Sequence, residues 1–251
     1  MLAYESAGTG PAIVLLHGFP LNRSIWTEQR ECLSARYRVI LPDLPGLGES
    51  APLAETTIAG MAAEVLRLMD HLQVPQFALG GHSMGGYVAL ALQKLAPERV
   101  RGLALICTQA GDDTPEARAG RYATAEKVMA EGTEVLVGAM LPKLFATPDA
   151  GAAGEAVAAL IRQSSREGVR ECLHAMAKRE DMRTRLPSIS VPTLVLTGQE
   201  DRLIPPDRSE GMAAQMPHAV LVKVPNAGHM PMVEQPKEVN QALERWLELV
   251  Y

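Results

Sequence analysis

The sequence is poor in the features that mark disulfide-stabilised, zinc-stabilised or nucleic-acid-binding proteins. It has three cysteines in 251 residues, Cys32, Cys107 and Cys172. They form no C-x-x-C pair, which favours a reducing compartment and argues against a structural zinc site. Lysine and arginine number 24 against 29 aspartates and glutamates, for a net charge of −5. No basic run is dense enough to neutralise a string of phosphates, so nucleic acid is not an expected partner.

Long apolar segments are also missing. No stretch approaches the roughly 20 apolar residues that are needed to span a bilayer. The amino terminus lacks a charged region followed by an apolar core and a cleavage site, which a secretory signal would require. We therefore expect a cytoplasmic protein that does not contact membranes. With 47% apolar residues, a chain of this length can bury most of its apolar surface in one large domain.

Short apolar runs alternate with amphipathic stretches, which is the pattern of parallel strands joined by crossover helices. The runs are bounded by Gly or Pro and predict strands at residues 13–16, 39–41, 77–79, 103–107, 193–196 and 220–224. Residues 2–5 could add an edge strand. Apolar residues at helical spacing predict helices at 57–72, 86–95 and 236–249. The predicted fold class is therefore α/β, with a mostly parallel sheet flanked by helices.

The middle of the chain differs from both ends because it has no run that resembles a strand. Ala, Glu, Arg and Met recur at helical spacing there, which predicts three or four helices inserted into the sheet domain. Prolines at 115, 142, 148 and 187 should begin or end these helices. We divide the chain into a first part of the core domain (1–111), a helical insertion (112–187) and a second part of the core domain (188–251).

A catalytic motif follows the predicted strand at 77–79. Ser83 is flanked by Gly81 and Gly85, and a predicted helix begins directly afterwards. This is G-x-S-x-G in the strand, turn and helix context that gives the motif its meaning. Glycines two residues away on each side let the strand and helix approach, so the turn lifts the serine hydroxyl clear of the sheet.

A serine hydroxyl needs a base to take its proton and a third group to orient that base. His229 follows the last predicted strand, so a parallel sheet delivers it to the same carboxyl edge as Ser83. Asp201 follows the strand at 193–196, and we prefer it as the acid over Glu200 and Asp207. The remaining histidines, including His82 next to the serine, are assigned structural or surface roles.

Acyl transfer also needs hydrogen-bond donors for the negative charge that develops on the carbonyl oxygen. The N–H of Met84, next to the nucleophile at a helix start, is the first candidate. The second is the N–H of Phe19, in the loop that follows the early strand. His17 and Gly18 then shape that loop.

These motifs together resemble the α/β-hydrolase fold superfamily. The resemblance covers the whole chain and is carried by His-Gly-Phe-Pro at 17–20, Asp-Leu-Pro-Gly-Leu-Gly-Glu-Ser at 43–50, Gly-His-Ser-Met-Gly-Gly at 81–86, Gly-Gln-Glu-Asp at 198–201 and Gly-His-Met at 228–230. It implies a sheet of about eight strands with a helical cap before the acid-bearing strand. A serine at position 83, where dehalogenases and epoxide hydrolases of the fold carry aspartate, points to hydrolysis of an ester, thioester, lactone or C–C bond.

The function predicted is that of a serine esterase (carboxylesterase) with a catalytic triad, an oxyanion hole and an acyl-enzyme intermediate. The low aromatic content of 4% favours acyl or alcohol groups of small to medium size. Apolar residues that could line the substrate pocket under the cap include Trp26, Met140, Phe145 and Met230.

Two further functions stay open. The run Ser-Met-Gly-Gly also resembles 3-oxoadipate enol-lactonases, and small capped members of the fold include C–C bond hydrolases. In a lactonase, Arg118 or Arg162 could meet a substrate carboxylate. The second open function is that of a non-catalytic ligand receptor on the same fold.

Cofactors are not expected. The glycines at 46 and 48 lack the third glycine and the helix start of a dinucleotide fingerprint. No H-E-x-x-H or similar spacing predicts a catalytic metal. The expected partner is a small-molecule ester or lactone, and the sequence leaves the oligomeric state unknown.

Overall fold

Seven strands form one sheet in the computed structural model, which describes residues 1–251. In chain order they are β1 (Tyr4–Ala7), β2 (Ala12–Leu16), β3 (Arg38–Pro42), β4 (Phe77–His82), β5 (Val100–Ile106), β6 (Thr193–Gly198) and β7 (Ala219–Val224). Their order across the sheet is β1-β3-β2-β4-β5-β6-β7. Only β1 and β3 are antiparallel. The prediction of a mostly parallel sheet is confirmed.

Burial along the strands explains why the sequence shows them as apolar runs. Every residue of β2, β4 and β6 is buried, as expected for parallel strands covered on both faces. The predicted ends differ slightly from those observed. The edge strand begins at Tyr4, two residues later than predicted. Cys107 lies beyond β5 and has a φ of 46°, which is incompatible with an extended strand.

Ten α-helices accompany the sheet, together with 3-10 turns at Arg23–Trp26, Pro97–Arg99 and Arg183–Ser188. The helices are α1 (Thr27–Leu33), α2 (Ile58–His71), α3 (Met84–Leu95), α4 (Pro115–Glu131), α5 (Glu134–Leu144), α6 (Gly151–Gln163), α7 (Arg166–Ala177), α8 (Pro206–Ala213), α9 (Pro231–Glu234) and α10 (Pro236–Val250). Helices α1 and α10 pack together, as do α2 and α3. None of the ten combines the length and the apolar character that crossing a membrane would need.

Local sequence explains the bounds of α2 well. The Thr57 side chain accepts a hydrogen bond from the N–H of Gly60 and caps the first turn. The helix then buries one face of apolar side chains, which includes Met61, Val65 and Leu68. The N-cap at Thr57 and this buried apolar face explain why α2 agrees closely with the predicted helix at 57–72.

Helices α4 to α7 lie between β5 and β6 with no strand among them, and we call residues 115–177 the helical segment. Within it α4 packs mainly on α7 and α5 on α6. Pro115 begins α4 as predicted, whereas Pro142 lies inside α5, close to its end. That proline therefore does not begin or end a helix, which corrects the prediction for it.

Three contacts attach the helical segment to loops at the carboxyl edge of the sheet. The Ser164 hydroxyl donates to the carbonyl of Pro20, after β2, at 2.6 Å. Gly168 packs directly on the backbone of Gly46, after β3. The N–H of Met230, after β7, donates to the Leu144 carbonyl at 3.1 Å. The helices thus cover the edge at which the sequence places the candidate catalytic residues.

Candidate active site

Ser83 lies on a strained turn between strand and helix. β4 ends one residue before it and α3 begins one residue after it, and its φ of 52° and ψ of −115° are rare for an L-residue. A Cβ at Gly81 would be 2.2 Å from the Gly85 carbonyl oxygen, and a Cβ at Gly85 would be 2.5 Å from that of Leu16. The turn therefore requires both glycines. The Ser83 hydroxyl makes no hydrogen bond within the chain, and the residue lines a cleft.

Asp201 and His229 are joined by a hydrogen bond. Asp201 follows β6, His229 follows β7, and the His229 Nδ1–H donates to Asp201 Oδ2 at 2.8 Å. Asp201 Oδ1 accepts from the N–H groups of Leu203 and Ile204, each at 2.9 Å. Both side chains are almost fully buried. This arrangement fixes the tautomer of His229 and leaves its Nε2 as the basic nitrogen.

The two competing acids have different positions. The Glu200 carboxylate accepts from the N–H of Ala227 at 3.0 Å, and Asp207 lies in the first turn of α8. Neither carboxylate is hydrogen-bonded to His229. The preference for Asp201 over these two therefore agrees with the hydrogen bonds around the imidazole.

His82 connects the serine turn to the loop that carries His229. Its Nε2–H donates to the His229 carbonyl at 2.8 Å, and the two rings are 4.8 Å apart. Its Nδ1 is buried without a partner. Burial, with a smaller contribution from the charge of His229, holds the pKa of His82 well below its ordinary value. A neutral His82 keeps one ring N–H for this bond.

The loop after β2 lies against the serine turn. A Cβ on Gly18 would be 2.5 Å from His82 Nδ1 and 3.1 Å from the Ser83 Cβ, so the approach requires glycine. The N–H of Phe19, the next residue, has no acceptor in the chain, and Phe19 lines the cleft with Ser83. Met84 is the first residue of α3, where backbone N–H groups lack partners within the helix.

His17 holds this loop in place. Its Nε2 accepts from the N–H of Leu44 at 2.8 Å, so its Nδ1 carries the proton and donates to the Gly18 carbonyl at 3.0 Å. Burial lowers the pKa of His17. Both ring nitrogens bind backbone, in agreement with the loop-shaping role expected from the sequence.

Glu234 ties the helical segment to the His229 loop. Its carboxylate accepts from the N–H of Ala146, just after α5, and from the N–H of Gly228, each at 2.7 Å. Burial raises the pKa of this carboxyl above its ordinary value despite these bonds. Sequence reasoning missed Glu234, whose only sequence signal is its position five residues after His229.

A cleft of about 380 Å³ opens between the helical segment and the sheet edge. It is lined by Phe19, Ser83, Tyr87, Gln109, Ala117, Gly120, Arg121, Thr124, Leu136, Ala139, Met140, Lys143, Leu173, Met176, Leu203 and Ile204. Ten of these sixteen residues are hydrophobic, so the cleft suits a largely apolar molecule.

Of the four residues predicted to line the pocket, the structure places only Met140 in this cleft. Trp26, Phe145 and Met230 are buried in the core. Trp26 packs edge-on against His82 with 6.5 Å between ring centroids. Apart from Ser83, sequence reasoning missed the polar lining residues, including Gln109, Arg121, Thr124 and Lys143, which belong to helices or loops that carry no motif.

The loop around Asp43 is a turn whose interior is filled by the Asp43 carboxylate. The Asp43 carboxylate accepts from the N–H groups of Arg23 and Glu49 at 2.8 and 2.9 Å. Gly46 and Gly48 have φ values of 82° and 56°. The Asp43 carboxylate fills the space beside Gly48, and its negative charge would repel the phosphates of a dinucleotide.

Cys107, Asp201 and His229 are the one group of side chains close enough to share a metal ion, with ligand atoms within 4.8 Å of one another. Both Asp201 oxygens already accept hydrogen bonds. Burial raises the pKa of the Cys107 thiol well above its ordinary value, whereas a metal ligand must be a thiolate. The group is therefore built for hydrogen bonding.

A family model described as alpha/beta hydrolase fold matches residues 11–236. Among solved structures, a thermophilic esterase from Thermogutta terrifontis is similar to this chain with a TM-score of 0.97 and 41% sequence identity. The match covers 99% of this chain and 93% of the esterase.

Two curated relatives have different names. The dihydrolipoyllysine-residue acetyltransferase component of the acetoin cleaving system from Pseudomonas putida is 34% identical over 97% of this chain, which spans only 65% of that protein. The 3-oxoadipate enol-lactonase 2 of Acinetobacter baylyi is 31% identical, over 93% of this chain and 87% of the lactonase. Because the names differ, similarity to these proteins does not select one substrate.

Proposed function

Because the chain belongs to the α/β-hydrolase fold family, we propose that it is a serine hydrolase that cleaves carboxylic esters of small to medium size. The observation that carries the proposal is the hydrogen bond between Asp201 and His229 at the sheet edge where Ser83 lies on its strained turn. The chain order of serine, acid and histidine is the one that this fold uses.

In the proposed mechanism the Ser83 oxygen attacks the ester carbonyl carbon while its proton passes to His229 Nε2. Asp201 holds the imidazole and stabilises its cation. The tetrahedral intermediate places its negative charge near the N–H groups of Phe19 and Met84. Its collapse expels the alcohol, which takes the proton from His229, and leaves an acyl group on Ser83.

The second half of the reaction uses the same groups. His229 removes a proton from water, the resulting hydroxide attacks the acyl carbonyl, and the Ser83 oxygen leaves with a proton from His229. The acid is then released. A hydrogen bond between the serine and the base is often long without substrate and shortens in the complex. The free Ser83 hydroxyl is compatible with this behaviour.

The cleft supports a substrate of modest size. Its volume of about 380 Å³ lies at the low end of the range for small-molecule pockets. Ser83 and Phe19 both line it. No metal or organic cofactor takes part in the proposed reaction. The three free cysteines support a reducing compartment such as the cytoplasm.

A second candidate is hydrolysis of a lactone, which is favoured by the 31% identity with 3-oxoadipate enol-lactonase 2. The same attack on a cyclic ester opens the ring, and the leaving alcohol stays attached to the product. A lactonase should open enol-lactones much faster than it cleaves linear esters. The C–C bond hydrolase and the non-catalytic receptor have no further observation in their favour.

The experiment that tests the proposal is steady-state hydrolysis of short-chain p-nitrophenyl esters beside a lactone panel. We expect turnover by the wild type and a loss of about 10³-fold or more in kcat for Ser83→Ala. A fluorophosphonate probe should label Ser83, identified by peptide mass.

The control is Ser190→Ala, which changes an exposed serine and should leave turnover and labelling unchanged. Near-normal hydrolysis by Ser83→Ala would reject the proposed nucleophile. Stoichiometric ligand binding without turnover by the wild type would favour the receptor.

A further inference from the structure

The charged side chains that line the cleft are both positive. Among its sixteen lining residues, Arg121 of α4 and Lys143 of α5 carry charge, and no aspartate or glutamate lines it. The chain as a whole has a net charge of −5. A purely cationic lining is therefore opposite in sign to the average surface of this protein.

Arg121 belongs to a cluster with an excess of positive charge. The Asp113 carboxylate binds two guanidinium groups, Arg121 and the buried Arg179. Arg179 donates to Asp113 Oδ1 at 2.6 Å and lies over the ring of Tyr87, with its central carbon 4.4 Å from the ring centroid. Because Asp113 is shared between two guanidinium groups, it neutralises Arg121 only in part.

Lys143 has no carboxylate within salt-bridge distance and makes no hydrogen bond with the chain. The arginines that the sequence suggested for contact with a substrate carboxylate are paired elsewhere: Arg118 with Asp112 and Arg162 with Glu134. Neither of these arginines lines the cleft. Lys143 is therefore the ammonium group available to a molecule in the cleft.

We propose that Lys143 and the Arg121 cluster form an anion subsite, so that the preferred substrates are esters or lactones whose acyl part carries a carboxylate. This inference rests on the proposed function of Ser83. A carboxylate on the substrate would lie near the helical segment while the carbonyl group lies at Ser83. The apolar side chains that line the same cleft, including Leu136 and Met140, suit the methylene chain of a dicarboxylic monoester.

The test compares two methyl esters of the same shape and different charge. Monomethyl glutarate carries the carboxylate, and methyl 5-methylhexanoate carries an uncharged isopropyl group in its place. Methanol release gives kcat/KM for each ester. We expect the wild type to prefer the anionic ester, and Lys143→Gln to lower the anionic to neutral ratio about three- to tenfold, since a partly exposed ion pair is weak. Added salt should lower the wild-type ratio as well.

Lys127→Gln is the matched control. Lys127 is exposed on α4, has no salt bridge and does not line the cleft, so the substitution makes the same change in net charge. The ratio should stay at the wild-type value. Arg121→Gln should lower the anionic to neutral ratio as Lys143→Gln does. Both esters are measured with the same preparation of each variant, so a loss of folded protein lowers both kcat/KM values equally and leaves their ratio unchanged.

The outcomes separate this inference from the proposed function. If the wild type hydrolyses both esters without preferring the anionic one, or if Lys127→Gln lowers the ratio as much as Lys143→Gln, the anion subsite is wrong and the esterase proposal stands. If the wild type hydrolyses p-nitrophenyl esters but neither methyl ester, the anion subsite is wrong and the esterase proposal stands. If no ester, p-nitrophenyl esters included, and no lactone is hydrolysed, both proposals are overturned.

Discussion

The carboxyl edge of the sheet and the helical segment that covers it are built in different ways. At the sheet edge, the fully buried strands β4 and β6 deliver Ser83 and Asp201, and the outermost strand β7 delivers His229. Close contacts leave no room for a Cβ at Gly81, Gly85 or Gly18. In the helical segment, α4 buries only Ala125 and Val128 of its seventeen residues. Two glycines of this segment, Gly120 and Gly138, have open space where a Cβ would lie.

This difference separates two tasks. The proposed chemistry needs atoms held to within a fraction of an ångström, and the sheet edge supplies that precision through backbone. Substrate choice needs side chains that can vary, and α4 supplies them with little constraint from packing, whereas α7 buries seven of its twelve residues. We therefore expect substitutions at the edge to affect rate or folding strongly, and substitutions in the helical segment to affect stability and selectivity more mildly.

The largest effect is expected for Asp201→Asn. An amide in place of Oδ2 would present N–H to the Nδ1 of His229 and favour the wrong tautomer, so kcat should fall about 10⁴-fold. The backbone N–H groups of Leu203 and Ile204 keep their acceptor, so the fold should remain. Circular dichroism checks the fold, and Asp207→Asn is the control. A loss under tenfold would indicate another acid.

Two alanine substitutions compare the regions directly. Gly85→Ala pushes a Cβ into the backbone carbonyl of Leu16 at 2.5 Å, so it should lower the free energy of unfolding by about 4 kcal/mol or prevent folding. Gly138→Ala meets no atom within 4 Å and should raise it by about 0.5–1 kcal/mol, because alanine is the better helix former. Urea unfolding measures both, and equal effects would contradict the contrast between the regions.

Asp113→Asn tests the ion pairs that join Asp113, just before α4, to Arg121 of α4 and to Arg179, just after α7. Burial alone would raise the pKa of Asp113, but hydrogen bonds and charges from Arg121 and Arg179 outweigh it and lower the pKa. A carboxyl with a lowered folded pKa stabilises the protein above its unfolded value of about 4, and this stability is lost as the pH falls through the folded pKa.

The Asn variant should therefore lose about 3 kcal/mol at neutral pH, and its difference from the wild type should shrink as the pH falls below about 4. Urea unfolding at several pH values measures this dependence. Glu126→Gln, an exposed change on the same helix, serves as the control. A difference that stays the same at every pH would mean that the ion pairs do not stabilise the fold.

The smallest effect on kcat is expected for substitutions of His82. Leucine there leaves the His229 carbonyl without its donor, which should lower kcat about tenfold by loosening the base loop. KM should change little, because His82 does not line the cleft. Glutamine can place an N–H near the position of the imidazole Nε2–H and should restore most of the rate. Equal losses in both variants would contradict a positioning role through this hydrogen bond.

The sheet and the candidate triad could be predicted from the sequence because each depends on local rules. A parallel strand buried on both faces must be apolar, and a turn as tight as that at Ser83 requires glycines at fixed spacing. The Asp201 and His229 positions followed from strand order, since the carboxyl ends of parallel strands meet at one edge.

The cleft could not be predicted in the same way because its lining depends on how helices rotate and pack. Large apolar residues can be buried in the core or line a pocket, and the sequence does not distinguish the two. In the structure, the core contains Trp26, Phe145 and Met230. Lys143 and Arg121 carry no motif. They line the same cleft as Ser83 because of the way α4 and α5 pack above the sheet.

The Glu234 carboxylate has a mechanical consequence. One oxygen accepts a hydrogen bond from the N–H of Ala146, just after α5, and the other accepts from the N–H of Gly228, next to the proposed base. If the end of α5 moved away from the sheet, either one of these hydrogen bonds would break or the loop that carries His229 would move with it. A ligand that enters without moving the end of α5 therefore leaves the loop of His229 undisturbed.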